Sequence, residues 1–161
     1  MKTVLLGLLL TLIPVFAGFK AKVVGITDGD TIVVLADGNR QIKVRLEGID
    51  CPEGNQDFGR RAKEFTAAFC FGKEVRIEKT GIDRYGRTLA WVYVGDHCLN
   101  KELLKAGMAW QFTRYNHDPE LAGLEETARR EKIGLWSQPN PVPPWEFRKN
   151  KTAAKREQVQ E

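Results

Sequence analysis

Two kinds of hydrophobic spacing divide the chain. Phe19 to Thr27 and Thr31 to Asp37 are β-rich apolar runs across a corner at Asp28-Gly29-Asp30, and Asp37-Gly38-Asn39 makes the next turn. In "RQIKVRLE", Arg40 to Glu47, the apolar Ile42, Val44 and Leu46 alternate with Gln41, Lys43, Arg45 and Glu47. Such a strand buries one face and leaves the other charged, so Arg45 is expected to point away from the core side. Glu74 to Lys79 and Thr88 to Val94 are two further strands, joined by "TGIDRYGR", a connection too polar and Gly-rich to be core.

After the Cys51-Pro52 turn the spacing becomes helical. Phe58, Ala62, Phe65 and Phe69 fall on one face, with Asp57 expected as N-cap and Gly72 as the stop. Asn100 is expected to cap a short helix through Ala106. Asp118-Pro119-Glu120 reads as a strong helix start, with Asp as cap and Pro at the first helical position; this helix carries Leu121, Leu124 and Ala128 inward until Gly134. Five strands followed by packed helices predict an α+β fold, a five-stranded antiparallel OB-fold-like β-barrel with three α-helices. A plain α+β sandwich is the alternative.

The two ends differ from this middle. "MKTVLLGLLLTLIPVFAG" has one Lys, an apolar run and small residues at Ala17 and Gly18, the layout of a secretory signal peptide over residues 1–17. The run is too short for a comfortable membrane span. Cleavage near Ala17 would leave a secreted or periplasmic protein. The domain is expected to cover 18–138. Residues 139–161 are Pro-rich and then charged, predicting a docked or extended segment and a mobile tail whose loss past Trp145 matters little to turnover.

Composition changes this picture only slightly. The chain has 161 residues, 42% hydrophobic and 29% charged, which suits one domain with one core. A net charge of +4 favours contact with anions, though many proteins carry as much for solubility alone. Cys51, Cys70 and Cys98 allow at most one internal disulfide; a Cys70–Cys98 bridge and buried free thiols are both open. Their spacing matches no zinc pattern, so no metal bound through sulfur is expected.

The candidate chemistry lies in carboxylates at strand ends. Asp30 opens a strand, while Asp50 and Glu53 sit in "GIDCPE", where the chain leaves the sheet. Measured along a flat ribbon, the start of the second strand and the end of the third lie at opposite poles, which counts against a shared site; a strongly coiled barrel can bring them together. Each acid also has a plain reading: Asp30 as a turn cap, Asp50 bonded to backbone ahead of Pro52, Glu53 solvated. Taken jointly they form a hard oxygen set suited to Ca²⁺ or Mg²⁺. Arg45 and Arg87, otherwise surface charges, could then grip a phosphodiester, and a remaining carboxylate could deprotonate water.

The ordered stretches "DGDTIVVL", "VRLEGIDCPE", "DRYGRTLAWVYV", "LNKELLKAGMAW" and the late "GLW", from about Ala21 to Trp136, resemble the staphylococcal nuclease (thermonuclease) family. The resemblance implies a five-stranded barrel with three helices and a Ca²⁺-dependent phosphodiesterase that cuts DNA and RNA at the 5′-oxygen, leaving 3′-phosphates. By motif, Asp30, Asp50 and the Cys51 carbonyl would bind Ca²⁺. Glu53 would act on the attacking water, Arg45 and Arg87 would hold the phosphate, and Tyr85 would contact the nucleotide. A second nucleotide-contacting tyrosine falls at Thr113 by direct match or at Tyr115 by a slip. The segment "GNQDFGRR" is shorter than in the family's prototype, which puts substrate approach and cleavage preference in question.

The implied partners are DNA and RNA, single strands preferred, for a monomer with no stable protein partner. The competing reading is a non-catalytic nucleic-acid-binding module of the same fold, which would leave the full set of acids and arginines without a task. Arg60-Arg61-Lys63, Arg129-Arg130-Lys132 and Arg148-Lys149-Lys151 are candidate phosphate contacts or solvated faces, and Tyr85 or Trp110 are candidate base-stacking rings.

Overall fold

The computed structural model describes residues 18–157; the expected signal peptide at 1–17 lies outside the described residues. The strands are β1 (Phe19–Asp28), β2 (Thr31–Ala36), β3 (Arg40–Leu46), β4 (Ile49–Asp50), β5 (Glu74–Ile82), β6 (Thr88–Val94), β7 (His97–Cys98) and β8 (Trp110–Gln111). The helices are α1 (Gly59–Cys70), α2 (Leu99–Lys105), α3 (Pro119–Arg130) and α4 (Pro144–Glu157). Five long strands run β3-β2-β1-β5-β6 through antiparallel neighbours, and a parallel pairing of β3 with β6 joins the two ends into a barrel. The short β4 and β8 pair with each other outside it.

Alternation explains the interior. Val23, Ile32, Val34, Val44, Leu46, Val75, Ile77, Ala90 and Val92 point inward and are buried, and Leu99, Leu103 and Leu104 of α2 belong to the same core. Burial of these apolar side chains is the main favourable term in the fold. A second cluster lies against α3, where Trp110 and Trp136 meet edge to face at 4.3 Å beside Ala128 and Leu135. Arg129 lies 4.0 Å above the Trp136 ring and pairs with Glu125 at 2.6 Å. It is a packing cation, and the buried Trp110 cannot offer its face to a base.

The flat-ribbon objection fails on the pairing. Thr31, at the start of β2, is the cross-strand partner of Arg45, near the end of β3. Consecutive antiparallel strands run in opposite senses, so the first residue of one lies beside the last of the next. The corner and the end of β3 therefore share one end of the barrel.

Two of the three expected helix caps fail and one holds. Asp57 does not cap α1: Phe58 occupies that position at φ 66° with no side-chain cap, and Asp57 accepts from Gln138 at 3.1 Å. Asn100 lies inside α2, fully buried, accepting from Val92 N–H and donating to the Glu47 and Ala90 carbonyls. It ties helix to barrel instead of starting the helix. Asp118 does cap α3, accepting from Glu120 N–H at 2.8 Å.

Residues 144–157 form α4, a fourth helix where a docked or extended segment and a mobile tail are expected. Pro144 starts it, and Trp145 docks on Phe112 and Trp110 at centroid distances of 5.7 and 5.8 Å. All three cysteines are free and buried, so the Cys70–Cys98 bridge is not formed.

Candidate active site

The site grows from two backbone features forced by sequence. A Cβ at Gly29 would lie 2.8 Å from the Cβ atoms of both Ala62 and Cys51, so only glycine lets α1 and the 49–52 segment close on this corner. Thr66 Oγ1 donates to the Gly29 carbonyl at 2.5 Å and locks the contact. At Gly59 a Cβ would strike the Glu53 carbonyl, so α1 begins hard against the loop that carries Glu53. Gln56 binds that loop twice, donating its N–H to Glu53 O and accepting Glu53 N–H on Oε1.

Asp30, Arg45, Asp50 and Cys51 form one bonded group. Asp30 Oδ2 accepts the Cys51 N–H at 2.6 Å and lies 3.2 Å from Arg45 Nη2, while Oδ1 accepts from Thr31 Oγ1 at 3.2 Å. Arg45 Nη2 donates to Asp50 Oδ1 at 2.8 Å, and Nη1 donates to the Leu46 and Ile49 carbonyls at 2.9 and 2.8 Å. Arg45 does leave the barrel interior as its alternation predicts, but the chain from Leu46 to Cys51 covers it and it is buried. Burial opposes its charge, yet Asp30 and Asp50 outweigh that and raise its pKa further. Burial pushes the Cys51 thiol well above its usual range, so its sulfur is inert here.

Glu53 joins this group through a residue that the sequence marks only as a phosphate contact or a solvated charge. Arg148, on α4, donates through Nη2 to Asp50 Oδ2 at 2.7 Å and through Nη1 to Glu53 Oε1 at 2.6 Å. Both oxygens of the buried Asp50 thus face a guanidinium. Its pKa is nonetheless raised: burial, joined by the nearby Asp30 charge, disfavours the anion more than the neighbouring arginines favour it.

Arg87 and Tyr85 come from the β5–β6 connection, which Asp83 organises. Asp83 Oδ1 accepts the Tyr85 and Arg87 N–H groups at 2.8 and 2.9 Å, and Oδ2 accepts Arg87 Nε at 2.7 Å. Partial burial raises the Asp83 pKa, but these bonds more than offset it and leave it lowered. Arg87 Nη1 reaches Thr31 Oγ1 at 3.5 Å, which turns its free edge toward the Asp30 corner. The Tyr85 ring is 68% exposed beside it.

Every residue predicted for the site lines one cavity of about 1170 Å³: Asp30, Arg45, Asp50, Cys51, Glu53, Tyr85 and Arg87. Thr113 and Tyr115 line it as well, and the exposed Tyr115 supplies the aromatic ring of the pair. The acids do not meet at one point. Asp30 and Asp50 converge on Arg45, whereas Asp50 and Glu53 converge on Arg148. Among the described residues no three acidic, imidazole or thiol groups are grouped to hold a metal ion.

Asp28, assigned by its sequence to the turn alone, also lines the cavity. Its Oδ1 is buried with no hydrogen-bond partner among the described residues. Burial, then the adjacent Asp30 charge, raise its pKa from 3.8 to about 7. An all-oxygen donor set with one orphaned carboxylate oxygen fits a hard divalent cation in chemistry.

Residues 43–138 match the family described as "Staphylococcal nuclease homologue". A Haemophilus influenzae protein described as an uncharacterized endonuclease is 44% identical over 128 residues, covering 80% of this chain and 72% of its own length. A micrococcal nuclease of Shigella flexneri is 42% identical over 153 residues, covering 88% of this chain and 87% of its own. Fold, site and relatives together support a nuclease function. The chain belongs to the staphylococcal nuclease homologue family.

Proposed function

We propose that this protein is an exported Ca²⁺-dependent phosphodiesterase that hydrolyses DNA and RNA at the 5′-oxygen, leaves 3′-phosphates and prefers single strands. The observation that carries this reading is the joint placement of Asp30, Arg45, Asp50, Glu53 and Arg87 around one open cavity with Tyr85 at its edge. The signal-like N-terminus supports export.

In this reading Asp30, Asp50 and the Cys51 carbonyl hold the cation. Bound Ca²⁺ would supply positive charge beside the phosphate oxygens. Arg45 has its Nη atoms committed to two carbonyls and two acids, so its main task is to fix those acids. Arg87 has Nε anchored by Asp83 and its Nη edge directed at the cavity, which suits bidentate contact with a phosphodiester and its developing charge. Glu53, half-exposed, is placed to take a proton from water once its Arg148 partner is withdrawn. Tyr85 offers an exposed ring for a base.

A gel assay on denatured DNA and on RNA, with Ca²⁺, Mg²⁺ and chelator in parallel, tests this. Cleavage with Ca²⁺ that stops in chelator is expected, with 3′-phosphate ends. Full-rate cleavage in chelator removes the cation, and binding without cleavage supports a non-catalytic module.

A further inference from the structure

Asp50 is the most constrained acid of the site. Its side chain is 2% exposed, Oδ1 is taken by Arg45 at 2.8 Å and Oδ2 by Arg148 at 2.7 Å. Arg148 also holds Glu53 Oε1 at 2.6 Å. Ca²⁺ binds carboxylate oxygens at about 2.3–2.6 Å, and the Arg148 guanidinium, bridging Asp50 Oδ2 and Glu53 Oε1, fills the space between these acids with a positive charge that opposes a cation there.

The two arginines on Asp50 differ in how readily they can yield to a cation. Arg45 has a side chain 10% exposed and is anchored to two backbone carbonyls besides its acids. Arg148 is 42% exposed, and among the described residues its guanidinium bonds only to Asp50 and Glu53. Its helix is held one turn earlier by Trp145, so the long side chain can swing out while α4 stays docked.

We propose that Arg148 is a tethered competitor of the divalent cation, masking Asp50 and Glu53 in the cation-free protein and being displaced when the cation binds. This rests on the reading of these acids as a cation site. Displacement does two things together: it frees an Asp50 oxygen for coordination and removes the cationic partner from the carboxylate assigned to the water. Cation binding and release of the base are thereby coupled through one side chain.

The test is calorimetric titration of Ca²⁺ into the full chain, without substrate, for the parent protein, Arg148→Gln and Arg148→Lys, with folding checked by circular dichroism. Removing the competing charge should tighten Ca²⁺ binding about tenfold in Arg148→Gln, while Arg148→Lys, which keeps the charge without the fork, should fall between. Equal affinities would overturn the proposal while leaving the cation site standing. Weaker binding in Arg148→Gln would also overturn it, making Arg148 a residue that positions the acids for the metal. Absence of Ca²⁺ binding in all three proteins would overturn the cation-site reading as well.

Discussion

Nη2 of Arg45 lies 2.8 Å from Asp50 Oδ1 and 3.2 Å from Asp30 Oδ2, so one buried guanidinium aligns two buried carboxylates, one from the β1–β2 corner and one from β4. Taking the cation away strands both anions in a poorly solvated place. Arg45→Met is expected to lower the unfolding free energy by about 3–5 kcal/mol, and Arg45→Lys to recover little because an ammonium cannot serve acids and carbonyls in that planar fork. Urea denaturation measures this. A loss near zero would mean the pair is solvated.

Glu53 and Arg87 lie at the open side, where substitution should cost rate and spare the fold. Glu53→Gln should reduce turnover on denatured DNA about 10²–10⁴-fold and Arg87→Ala about 10²–10³-fold, with thermal midpoints near the parent's. Asp83 acts through Arg87, whose Nε and N–H it accepts. Asp83→Ala should therefore slow turnover by about ten- to a hundredfold through misplacement of the guanidinium. Near-parent rates would remove the corresponding residue from the reaction.

Asp28 predicts the pH dependence of the cation-free protein. Its pKa rises from 3.8 to about 7 on folding because the site is buried and Asp30 adjoins it. The folded state then holds a proton that the unfolded chain has lost, so stability falls as pH rises from about 4 to about 7 and levels off above. Asp50, also raised by burial, adds a slope of the same sign. In chelator, Asp28→Asn should be more stable than the parent at pH 8 and show a shallower decline across that window. Calorimetric melting at pH 5 and pH 8 checks it; an unchanged slope would place the titrating proton elsewhere.

What could be read in advance followed from local periodicity. The five barrel strands and α3 carry their signals in alternation, turn residues and the Asp118-Pro119 cap and form there, although β5 runs on to Ile82 into the expected connection and α3 ends at Arg130, short of Gly134. Asn100 and Asp57 have the chemistry of caps, but their side chains bond to Glu47, Ala90 and Gln138, partners no local window contains. The site divides the same way. Asp30, Arg45, Asp50, Glu53 and Arg87 stand in short motifs, whereas Arg148 reaches Asp50 across 98 positions and sits in a charged stretch with the composition of a tail. Only the Pro-Trp pair before it, which starts and anchors α4, marks that stretch as docked.

Trp145 is the hinge pin of that arrangement, stacked at 18° on Phe112 and edge-on to Trp110 at 75°. Each aromatic pair contributes about 0.5–1.5 kcal/mol beyond burial, so their loss should raise the open population of α4 by roughly tenfold or more. The barrel core does not depend on this helix. Trp145→Ala should thus speed tryptic cleavage at Arg148, Lys149 and Lys151 about tenfold while leaving the β-sheet circular dichroism unchanged. Unaltered cleavage would show that the ion pairs of Arg148, rather than the stacked rings, hold α4 to the barrel.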